Sequence, residues 1–163
     1  MMSQTVVDDI YQTILKIRSE HINDRGSAEQ RWIQEHLDDA GLQEIAAKLS
    51  VVSFHILSAL EEGEATGIEL AAKLNVTRGG VSRAAKKLTE YHLVSAFKHD
   101  DDRKKIFYSL TAAGQKIAQV HDEMHRSLKD QLVKKLTEKY SENELKIVAD
   151  FLDDFHQMEN KLN

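Results

Sequence analysis

The 163 residues include 41% hydrophobic side chains but no cysteine, no proline and only 7 glycines, which excludes disulfides, thiolate metal sites and a turn-rich β fold. The formal net charge is −5, yet Lys73 to Lys105 holds 9 Lys or Arg against 4 acidic residues, a balance of +5, which leaves 13 basic and 23 acidic residues, −10, elsewhere. No basic and apolar leader opens the chain and no run approaches the roughly 18 apolar residues of a membrane span, so a cytoplasmic, soluble protein with no membrane partner is expected.

Val7, Ile10, Ile14 and Ile17 recur at helical spacing and predict a first helix from about Gln4 to Asn23. Asp24-Arg25-Gly26 should break it. Ser27-Ala28-Glu29-Gln30 reads as a capping box, a serine with glutamine three residues on, opening a second helix to about Asp39. Trp32, Ile33 and Leu37 give that helix an apolar face. Ala40-Gly41 is expected to end it, with a short helical piece from Leu42 to Leu49.

Ser50 can cap a helix through Ile56, Leu57 and Leu60 that ends before Gly63. Thr66-Gly67-Ile68-Glu69 is a second capping box, opening a helix to Leu74, and Asn75-Val76 is a tight connection. Thr77 then caps a helix to about Tyr91. Leu93–Phe97 and Ile106–Leu110 are rich in aromatic and β-branched residues and read as strands flanking an exposed charged tip, Lys98–Lys105. Thr111 caps a long helix to about Lys139. Ser141 and Glu144 open the last helix, whose Leu145, Val148, Leu152, Phe155 and Leu162 are spaced nearly as a heptad.

A short helix, a tight turn, a second helix and a hairpin make up a winged helix-turn-helix, whose second helix enters the major groove of DNA. The expected class is mainly α with a small β-wing. On the second helix Val81, Ala84, Ala85 and Leu88 form the inner stripe. Thr77, Arg78, Ser82, Arg83, Lys86 and Lys87 then face outward. Arginine can grip guanine through two acceptors, serine and threonine donate to phosphates or bases, and lysine holds phosphates. Gly79 and Gly80, costly inside a helix, bare the backbone where a phosphate would approach, or merely sit in a first turn that tolerates them. On the hairpin, Arg103 with Lys104 suits a minor groove, though a solvated loop would carry the same charges.

Leu70-Ala71-Ala72-Lys73-Leu74-Asn75-Val76-Thr77, Val81-Ser82-Arg83, Asp102-Arg103-Lys104 and Leu110-Thr111-Ala112-Ala113-Gly114 together resemble the MarR family of bacterial regulators. The likeness runs from about Val51 to the C-terminus. It implies a homodimer joined by the first helix and the last two helices, bound to a palindromic double-stranded DNA operator, usually as a repressor. It divides the chain into 1–50, a dimerisation helix with a helical insertion; 51–111, the DNA-binding region; and 112–163, C-terminal dimerisation helices.

His121 and His125 stand four apart on one predicted helix, on the stripe of Ile117 and Met124; His21 extends the first helix's stripe, and His55 lies among Phe54, Ile56 and Leu57. Interfacial histidines bonded to carboxylates would show the same pattern. Phe54-His55-Ile56-Leu57 and Ile117–His125 also resemble the zinc-sensing branch of the MarR family. That resemblance implies a Zn(II) site of His55, His121 and His125 with Glu20 or His21 as the fourth ligand. A second zinc site of that branch needs a cysteine and glutamates, and Phe54 and Val120 stand where two of those residues would be. The alternatives are a small organic effector held near Trp32, Phe54 and Tyr91, or a winged helix serving only as a protein-interaction module. No His-Glu-x-x-His motif, phosphate loop or nucleophile elbow points to an enzyme.

Overall fold

A computed structural model describes the backbone of residues 2–23 and 25–161, and the side chains of 6–16, 28–159 and 161. Eight α-helices and three strands follow in the order α1 (Met2–Asn23), α2 (Arg25–His36), α3 (Ala40–Ala46), α4 (Val51–Ala59), β1 (Ala65–Thr66), α5 (Gly67–Leu74), α6 (Arg78–Glu90), β2 (Val94–Phe97), β3 (Phe107–Leu110), α7 (Ala112–Lys139) and α8 (Glu142–Asn160). None of the helices is long and apolar enough to cross a membrane among the described residues. The chain forms two compact units, one up to Met124 and one from His125 onward.

Local chemistry sets most helix starts. Ser50 accepts from the Ser53 amide, Thr77 from Gly80, and the Thr66–Glu69 and Ser141–Glu144 pairs close both halves of a capping box. Asn75, at φ 50°, takes the left-handed turn between α5 and α6, a conformation that asparagine tolerates better than most residues.

The segment before Ser50 departs from expectation. α2 starts at Arg25, so Ser27 lies inside the helix rather than capping it. Ala40-Gly41 opens α3 rather than closing α2, because the Asp39 carboxylate accepts from the Leu42 amide. Gln30, read as half of a capping box, instead donates through Nε2 to the carbonyls of Ala46, Ala47 and Leu49 at 3.1, 2.7 and 2.9 Å, satisfying the open end of α3. The expected amphipathic packing of α2 holds: Ile33 and Leu37 are buried in the main core with Leu42, Ala46 and Leu49.

That core centres on Phe54, Ile56, Leu57, Leu70, Val81, Leu88, Leu93 and Ile117, all buried. Truncating any one of these large side chains to alanine should cost about 2–5 kcal/mol. The sheet has order β1-β3-β2, all antiparallel, pairing Val94 with Leu110 and Phe97 with Phe107. β1 was not foreseen. It is only two residues, pairing Ala65 with Tyr108 and Thr66 with Phe107, too short to leave a periodic signal.

Thr111 stitches the wing to α7. Its amide donates to Leu93 O, its hydroxyl to His92 O and Leu93 O, and Gly114 N donates to Thr111 Oγ1. The second unit carries the C-terminal part of α7 and all of α8. Its apolar residues Leu128, Leu132, Ile147, Val148 and Leu152 stand exposed in the single chain.

Candidate functional site

Two groups of side chains stand out. The first lies on α6 and the wing. Val81, Ala84, Ala85 and Leu88 are buried, which turns the opposite face of the helix to solvent. Thr77, Arg78, Gly79, Ser82, Arg83 and Lys86 are exposed there, and Lys87 is half-buried. Arg78, Arg83 and Lys87 form no ion pair among the described residues, and Lys86 has only a 3.9 Å contact with Glu90. Arg83 and Lys87 line a groove of about 450 Å³ with Lys48, Ser50 and Gly80, where bare backbone and cations sit side by side. A Cβ placed on Gly79 would meet nothing within 4 Å, so no internal packing demands glycine there.

On the wing, Arg103 has an 80% exposed side chain 3.8 Å from Asp100. Lys104 is exposed, and its amide is held by Asp102 Oδ1. Lys105 pairs with Asp102 at 2.8 Å, and that partnership holds the Asp102 carboxyl below its ordinary range. The tip is thus an ordered turn with Arg103 projecting outward. Residues 52–114, which include α6 and the wing, match the family description of a winged helix DNA-binding domain.

The second group joins helices far apart in sequence. Glu29 of α2, His55 of α4, and His121 and His125 of α7 offer ligand atoms that all lie within 4.8 Å of one another. His125 follows His121 by one turn of α7, so the helix itself sets their relation. His121 is buried, with Nε2 at 2.7 Å from Glu29 Oε1 and Nδ1 at 2.7 Å from Ser58 Oγ. The Ser58 hydroxyl donates in turn to Asp122 Oδ1 at 2.6 Å. The His55 ring meets the His121 ring edge-on at 5.0 Å between centroids, and the fully buried Phe54 stacks on the His121 ring at 6.0 Å.

Beside this cluster two carboxyls share one environment. Burial, then the hydrogen bond to Asp122 and its charge, push Glu61 above its ordinary 4.5. Burial also tends to raise Asp122, but hydrogen bonds with Ser58, Glu61 and His121 outweigh it and hold that group below 3.8. Of the two, Glu61 is therefore the first to take up a proton as the pH falls.

Three of the foreseen ligands, His55, His121 and His125, are brought together. The side chains of Glu20 and His21 lie outside the described residues. Glu29 was missed, since in the sequence it reads as an interior letter of a capping box. A signal was present: Glu29, Ile33 and Leu37 are spaced by four, so a carboxylate occupies the buried stripe of α2. Of Trp32, Phe54 and Tyr91, the residues considered for an organic effector, Trp32 stacks on His36 at 3.6 Å, Phe54 is in the core, and Tyr91 is partly buried against it.

Known proteins place the chain. It is 30% identical over 103 residues to the HTH-type regulator YvnA of Bacillus subtilis, a match covering 63% of this chain and a little under two thirds, 65%, of that one. The solved structure of ZitR from Lactococcus lactis, described as a zinc-responsive MarR family member, superposes with a TM-score of 0.73 at 24% identity, covering 94% of this chain and 98% of that one. Over 105 residues the chain is 30% identical to the transcriptional regulator AdcR of Streptococcus pyogenes, spanning 64% of this chain and 71% of that one. The chain belongs to the MarR family. As a MarR-family member it is a winged helix-turn-helix protein of a family of DNA-binding transcriptional regulators.

The chemistry of the donor set agrees with zinc. Three imidazole nitrogens and one carboxylate oxygen, with no thiolate, suit a closed tetrahedral zinc site. Bonds of about 2.0–2.2 Å around such an ion would set ligand atoms about 3.3 Å apart, and the four ligand atoms already lie within 4.8 Å of one another. The residues fit the ion.

Proposed function

We propose that this protein is a homodimeric repressor that binds a palindromic DNA operator and answers to Zn(II). The observation that carries the metal half is the convergence of Glu29, His55, His121 and His125 from three helices. The exposed cationic face of α6 above its buried stripe carries the DNA half.

In this reading the N-terminal residues of α6 enter the major groove. Arg78 and Arg83 address base edges, Thr77, Ser82, Lys86 and Lys87 hold phosphates, and Gly79 lets the backbone come close. Arg103 and Lys104 of the wing follow the adjacent backbone and minor groove. The exposed Val6, Val7 and Tyr11 of α1, and Ile147, Val148 and Leu152 of α8, are the apolar surfaces a second copy would cover. Pairing about a two-fold axis would set two reading helices about 34 Å apart, one turn of the duplex. Residues 1–50 and 112–163 then serve dimerisation and 51–111 reads DNA.

His55, His121, His125 and Glu29 would hold zinc, which when bound supplies bonds tying α2, α4 and α7 together. The protein side of the switch lies in its own residues. His121 Nε2 and Glu29 Oε1 already face each other at 2.7 Å, the two atoms that would turn to the ion. Fixing α4 against α7 limits how the reading head moves, and zinc shifts the operator equilibrium only by its preference for one arrangement. α4 carries the ligand His55, and its N-cap Ser50 lines the groove of Arg83 and Lys87.

The test is duplex binding across a salt series, with zinc and with chelator, for the wild type and His121→Ala. A steep salt dependence with a zinc response lost in the variant is expected. Equal binding with zinc and chelator removes the metal reading. Salt-independent binding, or none to any duplex, removes the DNA reading in favour of a protein-interaction module.

A further inference from the structure

We propose that Ser58 and Asp122 form a positioning relay that selects which nitrogen of His121 meets the metal. The inference rests on the zinc reading above and deepens it.

A hydroxyl carries a single proton, and that proton settles the relay. Ser58 donates it to Asp122 Oδ1 at 2.6 Å. Its oxygen can then only accept from His121 Nδ1, 2.7 Å away, so Nδ1 carries the hydrogen. Asp122 Oδ1 itself lies 3.4 Å from Nδ1, a second acceptor on the same side. The other nitrogen, Nε2, is the one turned to Glu29 Oε1 at 2.7 Å. Proton bookkeeping thus assigns Nδ1 to the relay and Nε2 to the ligand cluster.

The sequence spacing makes this economical. Ser58 lies three residues beyond the ligand His55 on α4, and Asp122 follows His121 directly on α7. One turn of α4 therefore supplies a ligand and the group that orients another ligand. A buried histidine needs only some acceptor to be satisfied. A hydroxyl backed by a carboxylate does more: it fixes the tautomer and raises the basicity of the other nitrogen.

Competition titration against a chromophoric zinc chelator, with the full-length protein, tests the relay. Ser58→Ala should weaken zinc by about 10- to 100-fold, and Ser58→Thr, which restores the hydroxyl, should stay within about threefold of wild type. Nitrogen NMR of the zinc-loaded wild type and Ser58→Thr should show the His121 proton on Nδ1. Should Ser58→Ala fold poorly, Asp122→Asn supplies the comparison, since that side chain is 45% exposed; about tenfold weaker zinc is expected. Wild-type affinity in Ser58→Ala or Asp122→Asn overturns the relay alone. So does a Ser58→Thr protein as weak as Ser58→Ala, or a His121 proton found on Nε2. A wild-type protein that binds no zinc overturns the relay and the metal reading together.

Discussion

His121 Nε2 and Glu29 Oε1 stand 2.7 Å apart although 92 residues separate them in the chain. The contact joins α7 to α2, which lies in the segment before Ser50 to which the sequence alone assigned no role. Both side chains are nearly enclosed, at 2% and 10% exposure, so the pair is held by the fold and little screened by solvent.

Removing the carboxylate should therefore be felt twice. Glu29→Ala is expected to weaken zinc at least about tenfold by deleting its oxygen donor, and to cost about 1–3 kcal/mol by leaving a buried imidazole nitrogen short of its partner. Glu20→Ala and His21→Ala, made alongside, should leave zinc affinity near wild type. Chelator competition reads the first effect and urea denaturation the second. A Glu20 or His21 variant that alone abolishes binding would reassign the fourth ligand.

Gly114 has no freedom to change. A Cβ there would lie 2.0 Å from Leu93 O, a backbone atom that also accepts from the Thr111 amide and hydroxyl. Gly114→Ala must displace either the start of α7 or the strand-entry backbone, at a cost above about 3 kcal/mol. Chemical denaturation that finds a loss under about 1 kcal/mol, closer to the scale of an ordinary surface change, would contradict this packing.

Gly79 should behave in the opposite sense. Its Cβ direction is open, so Gly79→Ala is expected to stabilise the free protein by about 0.5 kcal/mol through helix propensity. If bare backbone meets a phosphate, the same change weakens operator binding. Lys86→Ala, which removes a phosphate contact, should lower the slope of log affinity against log salt by about 0.9. Thermal melts paired with fluorescence anisotropy over a salt series distinguish these effects, and a Gly79→Ala variant with unimpaired DNA binding would return the glycine to mere tolerance.

Acid should loosen the capping boxes. Hydrogen bonds from the Thr66 backbone and side chain hold Glu69 below its ordinary 4.5, and those from the Ser141 side chain and backbone do the same for Glu144. A carboxyl whose folded value is depressed adds stability above its unfolded value and loses it as the pH falls through the folded one. Melting temperatures of wild type and Glu69→Gln should differ above pH 4.5 and converge below it. A gap that stays constant down to strongly acid pH would show that Glu69 stabilises without its charge.

The cap and turn residues made the helix-turn-helix and most helix starts legible in advance, because a Thr66–Glu69 box or a Thr77 cap acts over three or four residues and needs no distant partner. The inner stripe of α6, and with it the outward row from Thr77 to Lys87, followed from helical period alone. The start of α3 was misjudged although its Asp39 cap is local, and the role of Gln30 was misjudged because it works at long range. Gln30 reaches 16 to 19 residues away to close α3, and local reading gave it a cap nearby.

Sequence by itself thus determined the helix-turn-helix, the cationic outer face of α6 and the histidines worth watching, since each is written in periodicity, capping or residue chemistry. Tertiary structure alone decided that Glu29 joins those histidines, that Ser58 and Asp122 stand behind His121, and that Gly114 abuts Leu93. Each of these is a meeting of helices or strands distant in sequence, and their position depends on how whole elements pack.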